Sequence, residues 1–254
     1  MNSTQQSSIS KVPEVTLVFW IIKILATTLG ETAGDAASMS LNLGYLVSTL
    51  IFAAVFLAAV GVQIFARKFH PVIYWVTIVA TTTVGTTLAD FADRSIGIGY
   101  AGGSALLLCL LIASLWLWRR NTGSVSMDSV STPKSEVFYW VTIMFSQTLG
   151  TALGDWMSDS MGFGYLGSVA VFGGALAVIA LAYFFTKIPR TILFWGAFIL
   201  TRPLGAVLGD FLDKPTDDGG LALSRFVASG VLMVLMGIAI FVFPQRPAQK
   251  VAGN

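Results

Sequence analysis

The sequence predicts an all-α, polytopic integral membrane protein: eight transmembrane helices from four parallel two-helix repeats, arranged in two pseudo-symmetric halves. Three observations predict it. First, apolar runs of about 20 residues, the length a roughly 30 Å hydrocarbon core demands, recur along the whole chain. Of its 254 residues 55% are hydrophobic and 11% charged, with a mean hydropathy of +0.78, whereas a soluble domain carries about 25% charged residues. Second, the chain repeats itself. Trp20, Trp75, Trp140 and Trp195 each follow an aromatic residue (Phe19, Tyr74, Tyr139, Phe194), and each is followed at fixed intervals by Gly30, Gly85, Gly150 and Gly205, by Asp35, Asp90, Asp155 and Asp210, and by Gly44, Gly99, Gly164 and Gly219. Third, the basic residues are placed on one side of the predicted spans.

In chain order, residues 1–12 read as a polar cytoplasmic N-terminus, with no A-x-A-like cleavage site behind a short apolar region, so the first helix is expected to be retained. The first half, 13–120, holds two repeats (about 15–66 and 71–118) with spans near 13–36, 44–66, 71–92 and 99–118. Residues 121–135 form a Ser/Thr-rich linker, expected to be a solvated cytoplasmic loop. The second half, 136–243, holds the other two repeats (about 136–186 and 190–243) with spans near 136–158, 164–186, 190–212 and 222–243, and 244–254 is a cytoplasmic tail.

Orientation follows from charge. Lys11, Arg67, Lys68, Arg119, Arg120, Lys134, Lys187, Arg190, Arg246 and Lys250 flank the starts of motif helices or the ends of second helices, and only Arg94, Lys214 and Arg225 lie opposite. The positive-inside rule then puts both termini in the cytoplasm and the aspartates outside. A two-span unit returns to its starting side, so the four copies share one orientation and are related by an axis along the membrane normal.

The repeated Trp and the two-span unit resemble a bacterial membrane family built from four tandem repeats of unknown function, each with a characteristic tryptophan. The resemblance runs from about Val15 to Phe243. It implies this architecture and a bacterial inner-membrane location, and it implies no activity.

Each motif helix carries a small-xxx-small pattern (Gly30/Gly34, Gly85/Ala89, Gly150/Gly154, Gly205/Gly209), which lets backbones approach closely in lipid. The motif helices are therefore expected inside, ringed by the second helices. The tryptophans are expected to anchor at the inner interface, which sets the glycines near the midplane and the aspartates in the outer third. Lys23, one turn from Trp20, is expected to snorkel to the inner surface. Cys109, in an apolar run, is expected to pack without a disulfide, and His70 to lie in an interfacial loop.

Charges in lipid face a bundle interior or a cavity. Asp35, Asp90, Asp155 and Asp210 are followed three positions later by Ser38, Asp93, Ser158 and Asp213, a second oxygen on the same helical face. Hard oxygen donors suit a small cation or a proton, and Asp35, Asp90, Asp155 and Asp210 are the metal-ligand candidates. The other reading is that they cap helix ends in water. Glu31 has no acidic counterpart, its place being taken by Thr86, Thr151 and Ala206, and Arg202 matches Thr27, Thr82 and Gln147. A Glu31–Arg202 pair across the bundle would satisfy both charges, and Pro203 beside it removes a backbone donor.

The expected function is secondary transport of a small inorganic cation, divalent or proton-coupled, with the two halves rocking. A membrane scaffold or sensor and a transporter of a small organic or zwitterionic solute are the alternatives. No phosphate-binding loop for ATP is found. The E-x-x-G-D of Glu31–Asp35 departs by one residue from the E-x-G-D of some cation/proton exchangers, and "TAG", "TLA", "ALG" and "VLG" before the aspartates do not match the G-x-G-D of intramembrane aspartyl proteases. No enzymatic activity, cofactor or nucleic-acid partner is expected; the lipid bilayer is the expected partner. The sequence leaves the oligomeric state open.

Overall fold

The computed structural model describes residues 10–66 and 68–249. Arg67, Lys250 and residues 1–9, which entered the charge and N-terminus readings, lie outside the described residues. The described chain is all-α, with eight long helices: α1 (Leu17–Asp35), α2 (Gly44–Phe65), α3 (Pro71–Asp90), α4 (Tyr100–Thr122), α5 (Pro133–Asp155), α6 (Gly164–Phe185), α7 (Arg190–Asp213) and α8 (Arg225–Val242). Seven are long and apolar enough to cross a membrane, and α5 is not among them. Lys134, Glu136, Gln147 and Asp155 dilute its apolar character.

Local chemistry sets the helix starts. Thr16 caps α1 by accepting from the Phe19 amide at 3.2 Å, Thr132 and Ser135 form a reciprocal capping box on α5, and Pro71 and Pro133 stand where a helix needs no donor. The second repeated glycine is explained here. Gly44, Gly99, Gly164 and Gly219 have φ of 74°, 81°, 62° and 88°, positive values that residues with a Cβ rarely adopt. In repeats one to three the helix widens into a π-helical segment immediately after the motif aspartate (Ala36–Ser40, Phe91–Ile96, Trp156–Ser160), whereas α7 stays α-helical through Asp213. Short π segments favour functional sites.

The motif helices α1, α3, α5 and α7 form a closed ring, each packing on the next and α7 returning to α1. Each second helix packs on the motif helix of the following repeat: α2 on α3, α4 on α5, α6 on α7 and α8 on α1. The two halves expected from the linker are thereby interlocked, because α4 reaches forward into the second half and α8 back into the first.

The repeated glycines make the ring close. A Cβ on Gly30 would strike Thr82, one on Gly85 would lie 2.9 Å from the Gln147 carbonyl carbon, one on Gly150 would strike Arg202, and one on Gly205 would strike Thr27. These four partners share one register, so one contact is repeated around the ring. One turn outward, Gly34 meets Thr86, Gly154 meets Ala206 and Gly209 meets Glu31. The outer helices present apolar faces: Phe65, Phe184, Phe185 and Phe241 are all at least three-quarters exposed, a surface suited to hydrocarbon. Cys109 lies on this exposed face, so it packs against the surroundings and not within the protein.

Two expectations at the aromatic end of the bundle are corrected. The tryptophans are not belt anchors: Trp75, Trp140 and Trp195 are buried and Trp20 half-buried. Three of them are reached by the aromatic residue of the preceding repeat. Phe19 lies 5.4 Å from Trp75, Tyr74 5.8 Å from Trp140 and Phe194 5.7 Å from Trp20, while Trp118 wedges between Tyr139 and Trp195. The ring geometry turns these side chains inward, where they close the bundle. The linker is not a solvated loop either, since Met127 and Val130 are buried. Beneath the aromatic layer the Lys11 amide donates to Val130 O (2.9 Å), the Ala248 amide to Val12 O (2.8 Å) and the Glu14 amide to Arg246 O (2.8 Å). The described end of the N-terminus, the linker and the tail thus form one strap, pinned by a 2.7 Å Lys11–Glu136 ion pair. Their apolar residues have the aromatic layer to pack on, which their polar composition concealed.

Candidate functional site: a charged core beneath a cavity

Polar residues lie in layers along the ring. Nearest the aromatic layer is Lys23, which does not snorkel. It is fully buried, its Nζ stands 4.3 Å over the Phe198 ring, and it has no hydrogen-bond partner. The backbone of α1 directs it into the bundle, and the closed aromatic layer stands between it and that end of the protein.

The next layer holds the expected pair. Arg202 Nη2 donates to Glu31 Oε2 at 2.8 Å, with both side chains buried. The same nitrogen donates to Thr86 Oγ1 at 2.7 Å and to Thr151 Oγ1, and Thr86 also donates to Glu31 Oε2 at 3.2 Å. Glu31, Thr86 and Thr151 occupy one register of repeats one, two and three. The arginine of the fourth repeat therefore binds the equivalent position of the other three. Gln147 and the remaining Arg202 nitrogens have no hydrogen-bond partners.

The outermost layer holds the four motif aspartates, all buried, and three cations that the sequence reading set aside as exceptions to the charge rule. Arg94 bridges Asp90 (2.9 Å) and Asp155 (3.6 Å). Lys214 bridges Asp35 and Asp210, the latter at 3.1 Å. Arg225 lies 3.4 Å from Asp213 and 3.9 Å from Asp35. Burial opposes charge on Lys214, yet Asp210, Asp35 and Asp213 together raise its pKa well above the ordinary lysine value. Five buried carboxylates (Asp35, Asp90, Asp155, Asp210, Asp213) face three cations (Arg94, Lys214, Arg225), which leaves two negative charges in excess when all are ionised.

The residues three beyond each aspartate divide. The Ser38 and Ser158 hydroxyls donate to Gly34 O and Gly154 O at 2.8 and 3.0 Å. Asp93 is half-buried, outside the cluster of five. Only Asp213 joins a neighbouring carboxylate set: ligand atoms from Asp35, Asp210 and Asp213 lie within 4.8 Å of one another. At the aspartate end of the bundle a cavity of about 410 Å³ is lined by Arg94, Ser158, Asp159, Tyr165, Asp210 and Lys214 among others.

These unique side chains are mounted on four repeated units, and the units themselves have relatives. Residues 18–69, 73–124, 138–188 and 193–243 each match the family described as Repeat of Unknown Function (DUF347). The chain belongs to this family. The DUF347 repeats span each motif helix and its second helix, so the family unit is the two-helix unit found here. Comparison with curated proteins and with solved structures finds no match.

What the DUF347 repeat supplies four times is the ring, the aromatic layer and one aspartate per unit. What breaks the symmetry is Glu31, Lys23, Arg202, Arg94, Lys214 and Arg225. The signal for the three cations at the aspartates was available: Arg94, Lys214 and Arg225 are the only basic residues on the aspartate side of the repeats.

Proposed function

We propose that the protein spans the bacterial inner membrane eight times with both termini cytoplasmic, and that it is a secondary transporter of a small inorganic cation. The apolar outer faces support insertion. The place of α5 in the ring, equivalent to α1, α3 and α7, supports its spanning despite its polarity, since Glu136, Gln147 and Asp155 are buried against protein.

One observation carries the transport reading: buried carboxylates exceed their cationic partners by two beneath a cavity open on the outer side. Uncompensated buried charge is expensive in lipid, and binding a cation or protons relieves it. With the inner end closed by the aromatic layer and the strap, this arrangement corresponds to an outward-facing state. The test is a flux screen in proteoliposomes over monovalent and divalent cations under a pH gradient. Transport is lost in at least two of the variants Asp35→Asn, Asp90→Asn, Asp155→Asn and Asp210→Asn while folding is retained. Normal flux in all four, singly and combined, would remove the reading.

A non-transporting scaffold is the second reading. It is favoured by the pairing of every motif aspartate with Arg94 or Lys214, which gives the carboxylates a purely structural role.

A further inference from the structure

We propose that Asp35, Asp210 and Asp213 form a site for one divalent metal ion, that the Lys214 ammonium occupies this site in the metal-free protein, and that metal and Lys214 exclude one another. The proposal deepens the transport reading, and rests on it for the role of the site but not for its existence.

Geometry comes first. The three carboxylates bring ligand atoms within 4.8 Å of one another. Asp35 Oδ1 and Asp213 Oδ1 are buried and have no hydrogen-bond partner, while the side chains of both residues are at most 1% exposed. Buried oxygens left unpaired are costly, and here they belong to the same two residues that converge with Asp210. A cation of the chain already sits at this place, since Lys214 Nζ contacts Asp35 Oδ2 and Asp210 Oδ1.

Charge then selects the ion. Three carboxylates with Arg225 and Lys214 leave one negative charge. When Lys214 departs, Arg225 alone leaves two, which a divalent cation cancels and a monovalent one does not. An all-oxygen carboxylate set suits hard ions such as Mg²⁺, Mn²⁺ or Ca²⁺.

Lys214 is placed to leave. It lines the cavity, and its side chain is 12% exposed. Its backbone is held at both groups, the amide donating to Asp210 O and the carbonyl accepting from the Ala222 amide, each at 2.9 Å. Departure is therefore a rotamer change of a flexible four-carbon stem into the cavity, with no backbone opened.

Among the described residues such a trio forms only where the fourth repeat meets the first. There α7 stays α-helical past its motif aspartate, so Asp213 keeps the face of Asp210, while the other three repeats turn to π geometry at this point. Asp90 and Asp155 have Arg94 between them and no comparable third carboxylate within the site.

Mn²⁺ binding to the purified full-length protein in detergent, followed by titration calorimetry, tests the proposal. Lys214→Met should bind Mn²⁺ about tenfold tighter or more, because an occupant that competes for the site lowers apparent affinity by the fraction of time the site is open. Adding Asp213→Asn should reverse the gain. Equal affinity in wild type and Lys214→Met, or a gain indifferent to Asp213→Asn, overturns the site. Should Lys214→Met fail to fold, wild type decides: the rate at which an acylating reagent modifies Lys214 should rise about threefold or more at saturating Mn²⁺, with Lys187 unchanged. A constant Lys214 rate overturns the proposal. Mn²⁺ binding of this pattern without flux keeps the site and removes transport; cation flux without it keeps transport and removes the site.

Discussion

Arg202 donates to Glu31 across the centre of the ring at 2.8 Å, with both side chains closed off from solvent. The pair joins the first repeat to the last, at the seam where α7 meets α1. Because Arg202 also holds Thr86 and Thr151, it ties all four motif helices at one level.

Breaking that pair leaves a buried charge alone. Glu31→Gln should therefore destabilise the protein by about 3–5 kcal/mol, and Glu31→Gln with Arg202→Gln should recover much of the loss. Unfolding in a denaturing detergent gives the double-mutant cycle, and additive losses would show that the two residues act independently.

Lys23 makes the opposite case. Its amine is buried over the Phe198 ring with no hydrogen-bond partner. Lys23→Met keeps the length of the side chain and removes the polar atom, so stability should rise by about 1–3 kcal/mol. A fall in melting temperature would mean that the ammonium is satisfied by something that binds there.

The glycine contacts predict a contrast between positions. Gly85→Ala places a Cβ 2.9 Å from the backbone of Gln147, which cannot yield as a flexible side chain would. The loss should be about 1–3 kcal/mol. Gly61 and Gly173, on α2 and α6, face open space, and alanine there should stabilise by up to about 1 kcal/mol through helix propensity. Equal effects at the three positions would mean that the ring is not closely packed.

Topology is tested by reporters. A fusion after residue 254 should read cytoplasmic, and one in the turn around residues 214–220 should read external. The reverse pattern would place the cavity on the cytoplasmic side and turn every depth assignment over.

The two levels of information divide along physical lines. Composition and the four-fold register determined the all-α architecture, the eight helices to within a few residues and the burial of the motif helices, because lipid and small-residue packing act on local sequence. The Glu31–Arg202 pair was also legible, since two opposite charges unique in their registers have few other partners inside a bundle. The closure of the ring was not. Only tertiary structure turned Trp75, Trp140 and Trp195 inward, buried Lys23, and folded the linker and tail into a strap, because those outcomes depend on what each surface meets across the bundle. It also decided which aspartates stand together. Arg94 takes Asp90 and Asp155, Lys214 takes Asp35 and Asp210, and the unbroken α-helical turn of α7 brings Asp213 to Asp35 across an interface between chain segments almost 180 residues apart. Spacing along the chain fixes a residue's face on its helix; the partner across that face comes from the closing of the ring.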